Sequence, residues 1–321
     1  VEDPPSCKIM KMRNIVVFGA TGEIGGRIAR RCVDVGHKVV GISRGQNKRA
    51  TVDLSGVEML QGDHDDENFI RDTVAALDFD AVIDSAPSRN SVELYNRHLG
   101  KAKNVFLCSS TGTYVPLQYY PADENHPWRE ETSVNFHFKS EEDSRALELG
   151  AREGFPVTIF RPTNIIGAGR EPLELWGGRD IEFFRLLKAG ETIAIPPCEK
   201  ILLQSGSNSD LAEAFVLALN HPDEVVGEIF NISCQRAITL GRYLDAAKDQ
   251  LKSRSKIRVV STEELMKTYP QVQWRYGLEF LMEHMCFDIS KAKECFGYDP
   301  RKTTEEGLHD ALAWCEEASL L

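Results

Sequence analysis

Nowhere in the 321 residues is there the apolar run of about 18 residues that a membrane-spanning helix needs, so no span is expected. The chain also lacks an excess of positive charge. Its 38 Lys and Arg are outnumbered by 49 Asp and Glu, for a formal net charge of -11. That balance favours solubility and gives no broad attraction for nucleic acid or an anionic membrane. The one local basic stretch is KDQLKSRSKIR, with Lys248, Lys252, Arg254, Lys256 and Arg258. No Cys-x-x-Cys pair occurs. The eight cysteines, at 7, 32, 108, 198, 234, 286, 295 and 315, are scattered, and His284 beside Cys286 completes no zinc pattern. No metal site is expected, and the thiols read as free and partly buried in a reducing compartment. Repeats and low-complexity tracts are absent. The lead VEDPPSCKIMKM has no initiating methionine and no apolar core of a secretory signal; it reads as a processed end, a tag remnant or a native tail.

What is present is a repeated alternation of strand and helix. With 42% hydrophobic residues, the chain can bury one large domain or a core domain with a smaller companion. Ile15-Val16-Val17-Phe18 is a short apolar run, as a buried parallel strand should be. Ile24, Ile28 and Cys32 follow at helical spacing, and 38–42 reads as the next strand, which makes a βαβ unit. Further strands are predicted at 57–63, in FDAVIDSA, at 104–110 and at 156–162, with helices between them. A loop rich in Pro, Tyr and acidic residues spans roughly 112–133. The pattern predicts an α/β fold, a doubly wound parallel Rossmann sheet with a smaller, split C-terminal substrate lobe. The expected division is 13–170 for the dinucleotide-binding domain, with 200–228 returning to it, and 171–199 plus 229–321 for the smaller lobe.

GATGEIG places Gly19, Gly22 and Gly25 between a strand and a helix. Gly19 allows the tight turn, Gly22 the approach of backbone to a pyrophosphate, and Gly25 close helix packing, while the helix N-terminus favours negative charge. Strand two ends in Ser43 and Arg44 rather than the acid that an NAD site offers to the ribose. A hydroxyl and a guanidinium, with Lys48 and Arg49 close by, suit a 2′-phosphate, so NADP(H) is expected over NAD(H). Asp63 is placed to accept from the adenine amino group, with His64 beside it. Thr21, Glu23, Ile24, Ser85, Ala86, Pro162 and Asn164 complete the expected cofactor contacts.

Together GATGEIG, the Asp63-His64 pair, SSTGTY and FRPTNIIGAG resemble the extended short-chain dehydrogenases/reductases, the group that includes nucleotide-sugar epimerases, dehydratases and ketoreductases. SSTGTYVP, FRPTNIIG, GEIFNISCQRAITL and FGYDP are most similar to its atypical branch, named after the chloroplast stem-loop-binding proteins. The resemblance implies that Ser110 (with Thr111 the nearby alternative) hydrogen-bonds a substrate oxygen, that Tyr114 borders the cofactor, and that Lys139 binds the nicotinamide ribose. It also implies a cytoplasmic or plastid-stromal setting, and by analogy a possible homodimer.

The resemblance fails at one position. The catalytic tyrosine of the family falls on Asn135, and an amide does not titrate usefully. Only Tyr298 and Lys302 elsewhere have Tyr-x-x-x-Lys spacing, with Pro300 between them. Tyr114, His137 and the loop residues Tyr119 and Tyr120 are the candidate substitutes, as is water. The expected function is an atypical NADP(H)-dependent oxidoreductase or nucleotide-sugar epimerase/dehydratase-like protein that lacks the usual tyrosine and acts on a carbonyl or sugar-nucleotide substrate. The alternatives are a non-catalytic dinucleotide-binding regulator and a stem-loop RNA-binding or RNA-processing protein, the last disfavoured by the net charge.

Overall fold

The computed structural model describes residues 11–47, 51–274 and 277–321. Strands β1 (Asn14–Phe18), β2 (Lys38–Ser43), β3 (Val57–Gln61), β4 (Ala81–Asp84), β5 (Asn104–Cys108) and β6 (Val157–Pro162) form one sheet with a later strand, Ile229–Ile232. Every ladder in it is parallel. The order is β3-β2-β1-β4-β5-β6 followed by that later strand, so the chain winds outward in both directions from β1. The point of reversal, between β1 and β4, is where ligands bind in such folds.

Period-two alternation sends neighbouring side chains to opposite faces. Ile15 and Val17 join the core under α1 (Glu23–Asp34), while Val16 and Phe18 join the core on the other face. α2 (Glu67–Phe69) continues in a wide π turn, Ile70–Val74. α3 (Arg89–His98) begins with a capping box between Ser88 and Ser91. α4 (His137–Glu153) packs beside α3 and ends at Gly154, whose φ of 73° permits the left-handed stop.

Beyond β6 come α5 (Ile181–Ala189), β7 (Ile193–Ile195), β8 (Leu202–Leu203), α6 (Asn208–Ala218) and α7 (Pro222–Val225), and then β9 (Ile229–Ile232), the last strand of the main sheet. β9 thus lies in the stretch that the sequence reading gave to the smaller lobe. α6 packs against α1. β10 (Ile238–Thr239) pairs antiparallel with β8, and β11 (Ile257–Val259) pairs parallel with β7. α8 (Leu240–Gln250) and the final helix, Thr304–Glu317, pack together beside these short ladders. The described cysteines are free, with Cys32, Cys108, Cys198, Cys234 and Cys315 buried. Among the described residues no helix is long and apolar enough to cross a membrane.

One polar strut runs through this apolar frame. Arg161 at the end of β6 is fully buried, and its Nε donates to Asp143 Oδ2 of α4 at 2.9 Å, with Nη2 2.8 Å from the same oxygen. Asp143 also accepts from Ser109 at 2.8 Å. The guanidinium lies 4.0 Å from the Trp128 ring centre and 4.7 Å from that of Tyr114. Stripping water from two charges is costly, so removing one partner costs more than the pair contributes. We expect Arg161→Met to lower unfolding free energy by about 3–5 kcal/mol, because Asp143 is left buried and uncompensated. Arg161→Met combined with Asp143→Leu should lose less; urea unfolding of both variants checks this, and equal losses would refute the ion-pair account.

Candidate active site

The carboxyl ends of β1, β2 and β4 enclose a cavity of about 310 Å³. Gly19, with φ of 76°, turns the chain out of β1, and its N–H donates to Ile42 O at 2.9 Å. A Cβ at Gly19 would run into Ser85 Oγ, and one at Gly25 into the carbonyl of Gly19. Gly22 is the N-cap of α1 and provides no side-chain cap, so the first N–H groups of that helix stay available to a negatively charged group. Thr21, Ser43, Arg44, Asp63, His64, Ser85 and Ala86 line the same cavity. Gly25 lines neither this cavity nor the next; it is buried, where it lets α1 close on the turn.

His64 is held by its neighbours. Its Nδ1 lies 3.0 Å from the buried Asp84 Oδ2, which also accepts from Tyr95 at 2.7 Å. Burial pushes the imidazole pKa down. The hydrogen bond and charge of Asp84, with Asp65 and Asp63 nearby, outweigh that and hold it above its ordinary value.

Ser85 and Ala86 also border a second, larger cavity of about 620 Å³. Glu23, Ile24, Ser110, Thr111, Lys139, Pro162 and Asn164 line it, as do Arg170, Arg179 and an apolar wall of Phe136, Phe280, Leu281 and Met285. Phe136 and Phe280 stack with centroids 5.0 Å apart and planes at 12°. Gly112 makes room for Phe136, since a Cβ there would fall 2.5 Å from the ring. Ser110 Oγ accepts from Gly112 N at 3.0 Å, which leaves its O–H to donate into the cavity. Arg179 donates to Glu171 O, Ile165 O and Asn164 Oδ1, and no carboxylate pairs with it among the described residues. Burial, reinforced by Arg170, lowers its pKa to about 10, so it remains a cation at neutral pH.

Of the five residues expected at the chemistry, Ser110 and Lys139 line this cavity and three do not. Asn135 is buried in the lead-in to α4. Its Oδ1 accepts from Thr132 N at 3.2 Å and its Nδ2 donates to Glu130 O at 2.8 Å, so the amide fastens a loop. Tyr114 is packed behind the wall against Arg161, His126 and Phe287, and burial raises its phenol. His137 opens α4 and lines a separate cavity on the helix's outer side. Tyr119 and Tyr120 are exposed and line neither of the two cavities, and Tyr298 is buried with its hydroxyl donated to Ser233 O.

Sequence reasoning missed Glu142. It stands one turn after Lys139, with Oε2 3.7 Å from Lys139 Nζ and no hydrogen bond to that buried oxygen. Burial pushes its carboxyl up to about 7; Lys139 opposes this, while Asp143 and Asp84 add to it. A second acid one helical turn beyond the lysine was the available signal, but its desolvation was invisible without the fold. Of the basic stretch at 248–258, Arg258 is paired with Glu264 at 3.1 Å.

Residues 92–233 match the NAD dependent epimerase/dehydratase family and residues 11–96 the NmrA-like family. Over residues 92–233 the chain is therefore similar to the NAD dependent epimerase/dehydratase family, and its fold is that of solved epimerases. Among characterised relatives, the Arabidopsis thaliana chloroplast stem-loop binding protein of 41 kDa b is 28% identical, over 93% of this chain and 78% of its own. The UDP-glucose 4-epimerase of Bifidobacterium longum, solved with NAD+ and UDP, has the same fold at 16% identity, with a TM-score of 0.75 and coverage of 95% and 99%. The dTDP-glucose 4,6-dehydratase of Bacillus anthracis, solved with NAD, also matches at 16% identity and a TM-score of 0.75, with coverage of 97% and 98%.

The expectation of NADP(H) over NAD(H) is therefore corrected, since both of these solved structures of the fold hold NAD. The pocket gives a physical reason. Ser43 Oγ accepts from Gly45 N at 3.3 Å, and Arg44 shares the lining with neutral Gln46 and Asn47 and with Asp63 and Asp84. Carboxylates there oppose a further phosphate. Lys48 and Arg49 lie outside the described residues.

The raised pKa of His64 sets a stability test. The contribution of its ion pairs should be fully present below the ordinary histidine value of about 6.5 and be lost as pH rises through the higher folded value. The stability difference between the native chain and His64→Gln, from urea unfolding between about pH 5.5 and 9, should therefore shrink at the alkaline end. A difference that grows with pH would show that Asp84 does not hold the imidazolium.

Proposed function

We propose that the protein catalyses NAD-dependent oxidation and reduction at a hydroxyl- or carbonyl-bearing carbon of an anionic substrate of the sugar-nucleotide class. The observation that carries this reading is one cavity with Ser110 and Lys139 on the wall beside the glycine turn and Arg170 and Arg179 elsewhere on its lining. The residues fit a dinucleotide: the turn at Gly19 is a cradle that a Cβ would fill, and the α1 N-terminus faces it uncapped. The glycine turn would hold the pyrophosphate and Lys139 the nicotinamide ribose. When bound, the nicotinamide supplies the hydride acceptor or donor.

The chain's own groups do the rest. The Ser110 hydroxyl donates to the substrate oxygen and fixes its position. The Lys139 ammonium stabilises negative charge on that oxygen. Glu142 does not line the cavity; it lies behind Lys139, near neutrality, and it returns to the Lys139 ammonium the proton that the lysine passes to the substrate oxygen. Arg170 and Arg179 bind the substrate's phosphates. No tyrosine lines either cavity among the described residues, and this favours a second reading, a dinucleotide-binding regulator without turnover.

One assay separates the two. Purified protein is mixed with NAD and a panel of UDP- and dTDP-sugars; absorbance at the reduced-nicotinamide band reads net oxidation, and chromatography of the sugar nucleotides reads conversions that return the hydride. Turnover supports the first reading; NAD binding by calorimetry with no turnover on the panel supports the second; no NAD binding defeats both. Lys139→Ala should weaken NAD binding about tenfold, as loss of a charge-assisted hydrogen bond does. Glu142→Gln should leave NAD affinity within about threefold and remove the rate inflection near neutral pH. A Glu142→Gln pH profile that overlays the native one would eliminate Glu142 as the proton-exchange group.

A further inference from the structure

A third cavity, of about 240 Å³, lies on the outer side of α4 and shares no lining residue with the two cavities described above. Its floor is α4, through His137, Ser140, Ser144 and Arg145; Arg89 from the first turn of α3 and Arg129 from the long loop also line it.

The floor holds polar atoms with nothing to bond. Ser140 is 1% exposed, and its Oγ has no hydrogen-bond partner. Nδ1 of His137 is buried and likewise unpartnered. Buried polar groups are rarely left so, and each such case calls for a missing partner. The charges indicate its sign. Arg89 and Arg129 are exposed and have no carboxylate partner among the described residues, and Arg129 is stacked 4.1 Å from the centre of the Trp128 ring. Arg145 is held by Glu93 and Glu148, and Glu148 is shared with Arg152. Glu141 is the lining acid without a basic partner. Two unpaired arginines against one unpaired acid leave a net positive surface. Through His137 and Ser140 the cavity reaches the first turn of a 17-residue helix whose N-cap residue, Phe136, provides no side-chain cap, and there the helix dipole adds to the positive potential.

A ligand that fits must be small, anionic and rich in acceptor oxygens. We propose that this cavity binds a phosphoryl group, either inorganic phosphate or that of a small phosphomonoester, between Arg89, Arg129 and the Ser140 hydroxyl. Arginine meets phosphate with paired N–H donors, and Ser140 completes the set from below. Lys139, the neighbour of Ser140 in the first turn of α4, faces the cofactor-side cavity. The proposal does not depend on the redox reading.

The test is calorimetric titration of the full chain with inorganic phosphate, and separately with glycerol 3-phosphate, at constant ionic strength in chloride. Saturable binding of one equivalent to this cavity is expected, separate from any phosphate held by Arg170 and Arg179 in the large cavity, and tighter binding of the ester identifies a phosphomonoester as the occupant. The double variant Arg89→Ala/Arg129→Ala should weaken binding about tenfold or more. Ser140→Ala should weaken it by a smaller factor, and Arg179→Ala, in the large cavity, should leave the equivalent bound at this cavity in place. Circular dichroism and urea unfolding confirm that each variant is folded. Absence of saturable binding of either anion overturns the proposal. So does binding that survives the double variant and is lost in Arg179→Ala, which would put the anion in the substrate cavity.

Discussion

The ion pair between Arg161 and Asp143 holds the working parts of the molecule in register. It joins the end of β6 to the second turn of α4, and through Ser109 it reaches the end of β5. Ser110 follows directly on that point and Lys139 lies one turn earlier on α4. Two aromatic rings enclose the guanidinium, so the charge has little freedom to find another partner. A buried pair of this kind adds little net stability compared with apolar packing. What it adds is position: the serine and the lysine face one cavity because the strand and helix that carry them are pinned to a common carboxylate.

The tyrosine position is solved in a way that one-dimensional reading does not show. Asn135 looks from the sequence like a damaged catalytic residue. In the fold it bridges the carbonyl of Glu130 and the N–H of Thr132 through two separate atoms, the amide nitrogen and the amide oxygen, where a phenol would have to serve both with a single oxygen. The titratable group near the lysine comes instead from Glu142, on the same helix. Tyr114 and His137 flank the region in sequence, yet the helix start and the wall of the long loop turn them away from the cavity.

Most of the fold was legible because it follows local rules. The apolar strands, the glycine turn and the alternation with amphipathic helices dictate a parallel sheet whatever the ligand, and the glycine turn marks the cofactor end. The return of Ile229–Ile232 to the main sheet was not legible, because a short apolar strand carries no label for its partner. The identity of the dinucleotide was misread because Ser43 and Arg44 were judged by type. Their meaning depends on the local bond from Gly45 N to the Ser43 hydroxyl and on the acids opposite, Asp63 and Asp84, which β3 and β4 bring in from distant sequence. Glu142 was overlooked because a carboxylate in an acidic helix reads as solvated until burial is known.

The stacked rings of Phe136 and Phe280 join the lead-in of α4 to the C-terminal lobe along the wall of the large cavity. Such a pair is worth about 0.5–1.5 kcal/mol beyond its buried area. Parting it therefore slows a motion by roughly tenfold at most. In kinetic terms the stack is a light latch. By itself it cannot make departure of a ligand slow. Long residence of a ligand here would have to come from its phosphates and the two arginines.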